Sequence, residues 1–168
     1  MQKITPFLWF DDRAEEAVRF YVSIFPNSKI GNITRYGEAA ARAAERPEGS
    51  VMTIAFQLDG QDFVAINGGP AFTFSPAISF VVGCRTQEEV DEFWEKLSDG
   101  GQTQQCGWLT DRFGVSWQIT PVALWEMIED EDTNKSEQAM RAMLEMDKLD
   151  IARLEEAYAG AASASREA

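Results

Sequence analysis

A pattern of apolar residues recurs within this chain, and the recurrence constrains the fold more than any other feature. Val90, Phe93, Trp94 and Leu97 stand at helical spacing, and subtracting 73 from each position gives Ala17, Phe20, Tyr21 and Ile24, spaced the same way. Each stripe follows a capping-box spacing, Asp12 with Glu15 and Thr86 with Glu89, in which a side chain can accept from free N–H groups of the first helical turn. The same subtraction lays Phe80 and Val82 on Phe7 and Trp9, while the caps are displaced by one residue. Pro26-Asn27 ends the first helix and Gly100-Gly101 the second.

Strands surround these helices. Ile4 to Phe10 is an apolar strand in which Pro6 lacks an N–H, so the strand lies at an edge or starts late. Ile30 to Tyr36, Val51 to Leu58 and Phe63 to Asn67 follow, the last two joined as a hairpin at Asp59-Gly60, where glycine accepts positive φ. Between them, residues 37–49 are alanine-rich and charged, fitting either a short surface helix or a mobile flap. After Gly68-Gly69-Pro70 the order restarts with Ala77 to Val82, and short strands near Thr103–Leu109 and Val115–Thr120 complete it. The chain therefore reads as an α+β fold: a domain over 1–121 made of two βαβββ modules, about 1–70 and 76–121. One helix covers only one face of a sheet, so two such modules are expected to pair as cup-shaped mixed sheets enclosing a cleft.

Beyond Pro121 the pattern is helical. Val122 to Ile128, Ser136 to Met146 and Ile151 to Tyr158 make an extension over 122–160, with 161–168 as a tail. Met140, Met143, Leu144 and Met146 form an adaptable apolar surface that packs on the parent domain or serves a dimer contact.

Charge and residue usage narrow the function classes. A formal charge of −13 argues against nucleic acid and against an anionic membrane surface, since phosphates would be repelled. No apolar run approaches the ~20 residues of a membrane helix. The first residues, Met1 to Phe7, lack the regions of a secretory signal, and Cys84 and Cys106 are too few for a disulfide framework, so a reduced cytoplasmic protein is expected. The chain has no histidine, which removes the commonest metal ligand and the only side chain that titrates near neutrality unperturbed. A reactive Cys106 thiol would need a neighbouring base or cation, and an unreactive role fits better. Asp111-Arg112-Phe113-Gly114 reads first as a turn between strands.

Several runs in order carry a resemblance. They are Phe7-Leu8-Trp9-Phe10-Asp11, Ala14-Glu15-Glu16-Ala17, Phe20 to Ser28, Asn67-Gly68-Gly69-Pro70, Ala77-Ile78-Ser79-Phe80, Cys106-Gly107-Trp108 and Asp111 to Gln118. Together they resemble the PhnB-like group of the vicinal-oxygen-chelate superfamily, which includes glyoxalase, bleomycin-resistance and extradiol-dioxygenase relatives. The resemblance spans about Ile4 to Pro121 and extends to the C-terminal Met143-Leu144 and Ala157-Tyr158 segments. It implies paired βαβββ modules, commonly in a homodimer. In metal-using relatives the ligands project from the first and last strands of each module, which places them here near Pro6, Asn67 (or Ala65), Ser79 and Gln118.

That set is chemically poor for a metal. Proline has no ligand atom, serine is weak unless ionised, and the amides are neutral, whereas divalent transition metals prefer imidazole, thiolate or carboxylate. Many PhnB-like sequences also carry histidine after Gly-Gly-Pro, where Ala71 stands here. The expectation is a small-molecule-binding protein with no metal and no cofactor, whose ligand meets Trp9, Asn67, Phe72, Ser79, Trp108 and Gln118. The alternative is an enzyme, a lyase or isomerase-like relative, or a methyltransferase, the label this group often carries. Methyl transfer lacks support in the residues, since no glycine-rich loop opens a helix after a strand.

Overall fold

The computed structural model describes residues 2–164, with side chains through residue 160. Its elements are β1 (Phe7–Phe10), α1 (Ala14–Ile24), β2 (Lys29–Arg35), α2 (Glu38–Ala44), β3 (Val51–Leu58), β4 (Gln61–Asn67), β5 (Ser79–Cys84), α3 (Gln87–Ser98), β6 (Gln102–Thr103), β7 (Trp108–Thr110), β8 (Ser116–Pro121), α4 (Val122–Ile128), α5 (Thr133–Leu144) and α6 (Ile151–Ala164). Two compact units divide the chain between Phe74 and Ser75.

The first unit is a four-stranded sheet in the order β1-β4-β3-β2. β1 runs parallel to β4, pairing Phe7 with Val64 and Trp9 with Ile66, while β2-β3-β4 form an antiparallel meander. β1 is an edge strand that begins just after Pro6, so both readings of that proline hold. Helix α1 covers one face, burying Ala14, Ala17, Val18, Tyr21 and Ile24 against Leu8, Phe10, Ile54, Phe56 and Ala65. The 37–49 segment contains a short helix, α2, which stops where Glu45 turns left-handed at φ 53°.

The second unit repeats the arrangement, with sheet order β5-β8-β7-β6, β5 parallel to β8, and α3 packed over Val82, Cys84, Leu109, Trp117 and Ile119. The strand expected near Thr103–Leu109 is two short strands, because Cys106 (φ 61°) and Gly107 (φ 79°) turn the chain between them. That turn donates its N–H groups to the carbonyls of Met146 and Asp147, at 2.7 and 2.8 Å, which fastens the C-terminal segment to the sheet. Gln87 reinforces the join, donating to Leu149 O and accepting from Ile151 N–H. Leu124, Met127, Ala139, Met146, Leu149 and Leu154 bury together, with Met143 packed against them. The methionine surface is thus largely internal to this unit, although Leu144 stays exposed. Of the small-residue tail, 161–164 continues α6, and 165–168 lie outside the described residues.

Two sequence expectations need correction. The Asp12–Glu15 box does not form: Arg13 holds the N-cap position of α1 without a side-chain cap, and the Ala14 N–H donates instead to Asn67 Oδ1 on β4 at 2.8 Å. The second box does form, with Thr86 Oγ1 accepting from Glu89 N–H and the Glu89 carboxylate accepting from Arg85 N–H. The offset of 73 aligns the helices but not the strand faces. Trp9 points away from α1, whereas Val82, its arithmetical partner, is buried beneath α3. One residue more or less between strand and helix flips every strand side chain to the opposite face.

Candidate functional site

Each sheet has a face its helix leaves uncovered, and pairing register decides which side chains stand there. In the first unit the β1–β4 seam presents Phe7 and Trp9 beside Val64 and Ile66. On the adjoining strands the same face carries Thr53, Ala55 and Gln57 of β3, in register with Ile66, Val64 and Asp62. In the second unit the open face carries Ser79 and Val81 of β5, Ser116 and Gln118 of β8, and Trp108 and Thr110 of β7.

The six residues singled out from sequence fall into three groups. Trp9 and Phe72 meet edge-on, ring centroids 5.0 Å apart, and the Trp9 indole N–H donates to Gly69 O at 2.9 Å. Phe72 is 65% exposed. Gly68 is required beneath them, since a Cβ there would collide with the Trp9 ring. Ser79, Trp108 and Gln118 stand together on the second sheet: Gln118 Nε2 donates to Ser79 Oγ at 2.8 Å, and Trp108 lies directly across from Gln118.

Asn67 stands apart. It pairs with Phe10 on the face beneath α1 and is only 4% exposed. Its Oδ1 caps α1, its Nδ2 donates to Val51 O at 3.2 Å, and its backbone carbonyl accepts from the Tyr36 hydroxyl at 2.7 Å. Such an amide anchors helix to sheet and has no group facing the open side.

Other candidates are structural as well. Asp111 is buried and uses Oδ1 to accept from Phe113 and Val115 N–H, and Oδ2 to accept from Trp117 Nε1 at 2.8 Å. It closes the β7–β8 turn, while Arg112 pairs with Asp99 at the C-terminal cap of α3. Cys84 is buried, and desolvation pushes its thiol up to about 12.

A cavity of about 370 Å³ lies on the open face of the first sheet. Gly31, Ala55 and Val64 form its apolar floor, and Lys29, Gln57 and Asp62 line it as a row across β2, β3 and β4. Gln57 Nε2 donates to Asp62 Oδ1 at 2.6 Å. None of these lining residues was singled out from sequence. The available signal was Gly31 inside a strand, since an interior glycine marks a bulge or a close backbone approach; pairing is in fact irregular between Ile30 and Ile33.

The metal positions implied by resemblance can now be tested against donor chemistry. Pro6 offers only a backbone carbonyl, already accepting from Val64 N–H at 3.0 Å. Asn67 and Ala65 lie on the covered face, and their open-face neighbours Val64 and Ile66 are hydrocarbon. Ser79 and Gln118 hydrogen-bond each other. Among the described residues no three His, Cys, Asp or Glu side chains gather where they could hold a metal. These residues do not fit a catalytic divalent ion.

Comparison with known proteins places this geometry. The 3-demethylubiquinone-9 3-methyltransferase family matches residues 2–120. A PhnB protein from Bacillus cereus is 41% identical, covering 72% of this chain and 100% of its own, with a TM-score of 0.64. The fold is shared more widely: a Pseudomonas aeruginosa protein matches at 19% identity, 72% and 98% coverage and TM-score 0.58. The fosfomycin resistance protein FosX from Listeria monocytogenes matches at 14% identity, 77% and 98% coverage and TM-score 0.55. No curated protein sequence matches. The chain therefore belongs to the 3-demethylubiquinone-9 3-methyltransferase family, the PhnB-like group that its sequence resembles.

Proposed function

We propose that this chain is a metal-free small-molecule-binding protein of the glyoxalase/bleomycin-resistance type, working in the cytoplasm with both thiols reduced. One observation carries the reading: an apolar cavity of about 370 Å³ on an uncovered sheet face, within the size range of small-molecule pockets, roughly 300–1,000 Å³. The open face of the second unit carries an amide, a hydroxyl and an indole at Gln118, Ser79 and Trp108, which suit orienting a polar group and stacking a ring. Exposed hydrocarbon at Ile78, Val81, Val122 and Trp125 supports a homodimer as the assembly, which sedimentation velocity checks.

Two measurements test the reading. Elemental analysis of protein purified without added metal is expected to find no stoichiometric zinc, nickel, iron or manganese; one equivalent of any of them overturns the metal-free part. Calorimetric titration with S-adenosylmethionine is expected to give no binding heat. The strand-to-helix loops that would cradle such a nucleoside cofactor run through Asp11-Asp12-Arg13 and Arg85-Thr86, with no glycine in either. Saturable binding of that cofactor would replace this proposal with methyl transfer.

A further inference from the structure

We propose that the ligand on the open face of the first sheet is a flat, largely apolar monoanion, with its ring system over Gly31, Ala55 and Val64 and its charged group at the Lys29 ammonium. The inference rests on the reading above that this face holds a small molecule, and adds what kind of molecule it is.

Shape comes first. The floor of the cavity carries no side chain at Gly31 and a single methyl at Ala55. A Cβ at Gly31 would stand 3.2 Å from Ala55 O, so even one more carbon there would crowd the backbone of β3. A floor built of backbone, one methyl and the Val64 side chain is smooth and favours a planar molecule. At about 370 Å³ the space sits near the small end for ligand pockets.

Charge comes second. Lys29 stands in register with Gln57, and Gln57 with Asp62, so the lysine and the aspartate are the outer members of a row across three strands. Strands are spaced ~4.8 Å apart, which separates those two backbones by ~10 Å. The two ends are not equivalent. Asp62 already accepts from the Gln57 amide, and its N–H donates to Gln2 Oε1. Among the described residues the Lys29 ammonium has no hydrogen-bond or ion-pair partner. A ligand anion there gains a contact that nothing else in the fold makes, whereas a cation at Asp62 would have to share its carboxylate. The overall charge of −13 opposes any anion at long range, but that field is screened and the Lys29 contact is local.

The test uses a matched pair of fluorescent probes, 1-anilinonaphthalene-8-sulfonate and its uncharged twin N-phenyl-1-naphthylamine, titrated into the full chain and three variants. Ala55→Phe and Val64→Phe fill the cavity from two strands without touching the α1 face, and each is used only if its melting temperature stays near wild type. Both probes are expected to lose binding in them. Lys29→Gln is expected to weaken the sulfonate about two- to fivefold, the size of an exposed charge contact, while leaving the neutral twin unchanged. Raising salt to 0.5 M should shrink the sulfonate's preference for wild type over Lys29→Gln, because both proteins lose the repulsion of the surplus carboxylates but only wild type loses the Lys29 attraction. If Lys29→Gln alters both probes alike, or neither, the monoanion assignment is overturned while the cavity stands. If neither probe binds, or if filling the cavity changes nothing, the face itself is not the ligand site and the underlying reading fails with it.

Discussion

Asn67 illustrates how one residue of strand phase changes a functional reading. From sequence it stands beside a Gly-Gly-Pro turn where an amide could equally orient a ligand or satisfy backbone groups. Strand pairing turns it beneath α1, where it holds Ala14 N–H and Val51 O at once. Sequence gives the identity of a strand residue, but its face depends on register, and register comes from contacts far along the chain. Asn67→Ala is expected to cost about 2–3 kcal/mol, because it leaves a buried donor and a buried acceptor unpaired and removes a helix cap. Denaturant unfolding measures this, and a loss below about 0.5 kcal/mol would show that water replaces the amide.

The two cysteines make a second case at this scale. Cys84 is 1% exposed and its thiol is pushed up to about 12 by burial, so at pH 8 it should not react with a disulfide reagent until the protein unfolds. Half-buried Cys106 in its surface turn should react in the native state. One thiol titrated natively and two in denaturant is the expected count; two fast native thiols would contradict the burial. Because an unfolded thiol ionises near pH 9 and the folded one resists until about 12, Cys84 favours folding fully below pH 9. That contribution falls as pH rises between those values.

At the scale of elements, the repeated helices were legible and the repeated strand faces were not. A helical stripe is a local property at 3.6 residues per turn, so Ala17, Tyr21 and Ile24 in one helix and Val90 and Leu97 in the other announce a buried side unaided. The strands carry apolar residues on both faces, as at Phe7-Leu8-Trp9-Phe10, so alternation gave no phase. The open-face cavity is illegible for a similar reason: its floor is Gly31, Ala55 and Val64, which carry no pattern of their own. The C-terminal helices were legible as helices, but their attachment was not, since it runs through backbone bonds from Cys106 and Gly107.

That attachment makes the extension part of the second unit's core. Gly107 combines φ 79° with a Cβ position that would stand 2.6 Å from Ile119 O and 3.1 Å from Leu149 Cδ1. Gly107→Ala should therefore destabilise by about 2 kcal/mol or more, through backbone strain and steric conflict together. Ending the chain after Pro121 should do worse, since it removes the Met146 and Asp147 carbonyls that this turn donates to, the Leu149 and Ile151 partners of Gln87, and the whole cluster around Leu124. The expected result is loss of cooperative unfolding or insolubility. A truncated chain that melts as sharply as the full one would mean the helices are a separate module.

Across the whole molecule, the dominant electrostatic fact is 28 acidic against 15 basic side chains, a formal charge of −13. Local pairs offset little of it. Glu92–Lys96, Glu137–Arg141, Glu38–Arg42 and Arg13–Glu16 are exposed pairs one helical turn apart, and such contacts contribute only ~0.2–1 kcal/mol each. Self-repulsion among the surplus carboxylates acts over longer distances, so salt should relieve more repulsion than it removes attraction. Melting temperature is therefore expected to rise as sodium chloride goes from 20 to 500 mM, ~3 °C or more if ~1 kcal/mol of repulsion is screened in a domain pair of this length. Over the same range the affinity advantage of wild type over Lys29→Gln for an anionic probe should shrink, so the protein becomes more stable while that site becomes less selective. A melting temperature that falls with salt would mean that paired contacts, not net repulsion, set the charge energetics of this fold.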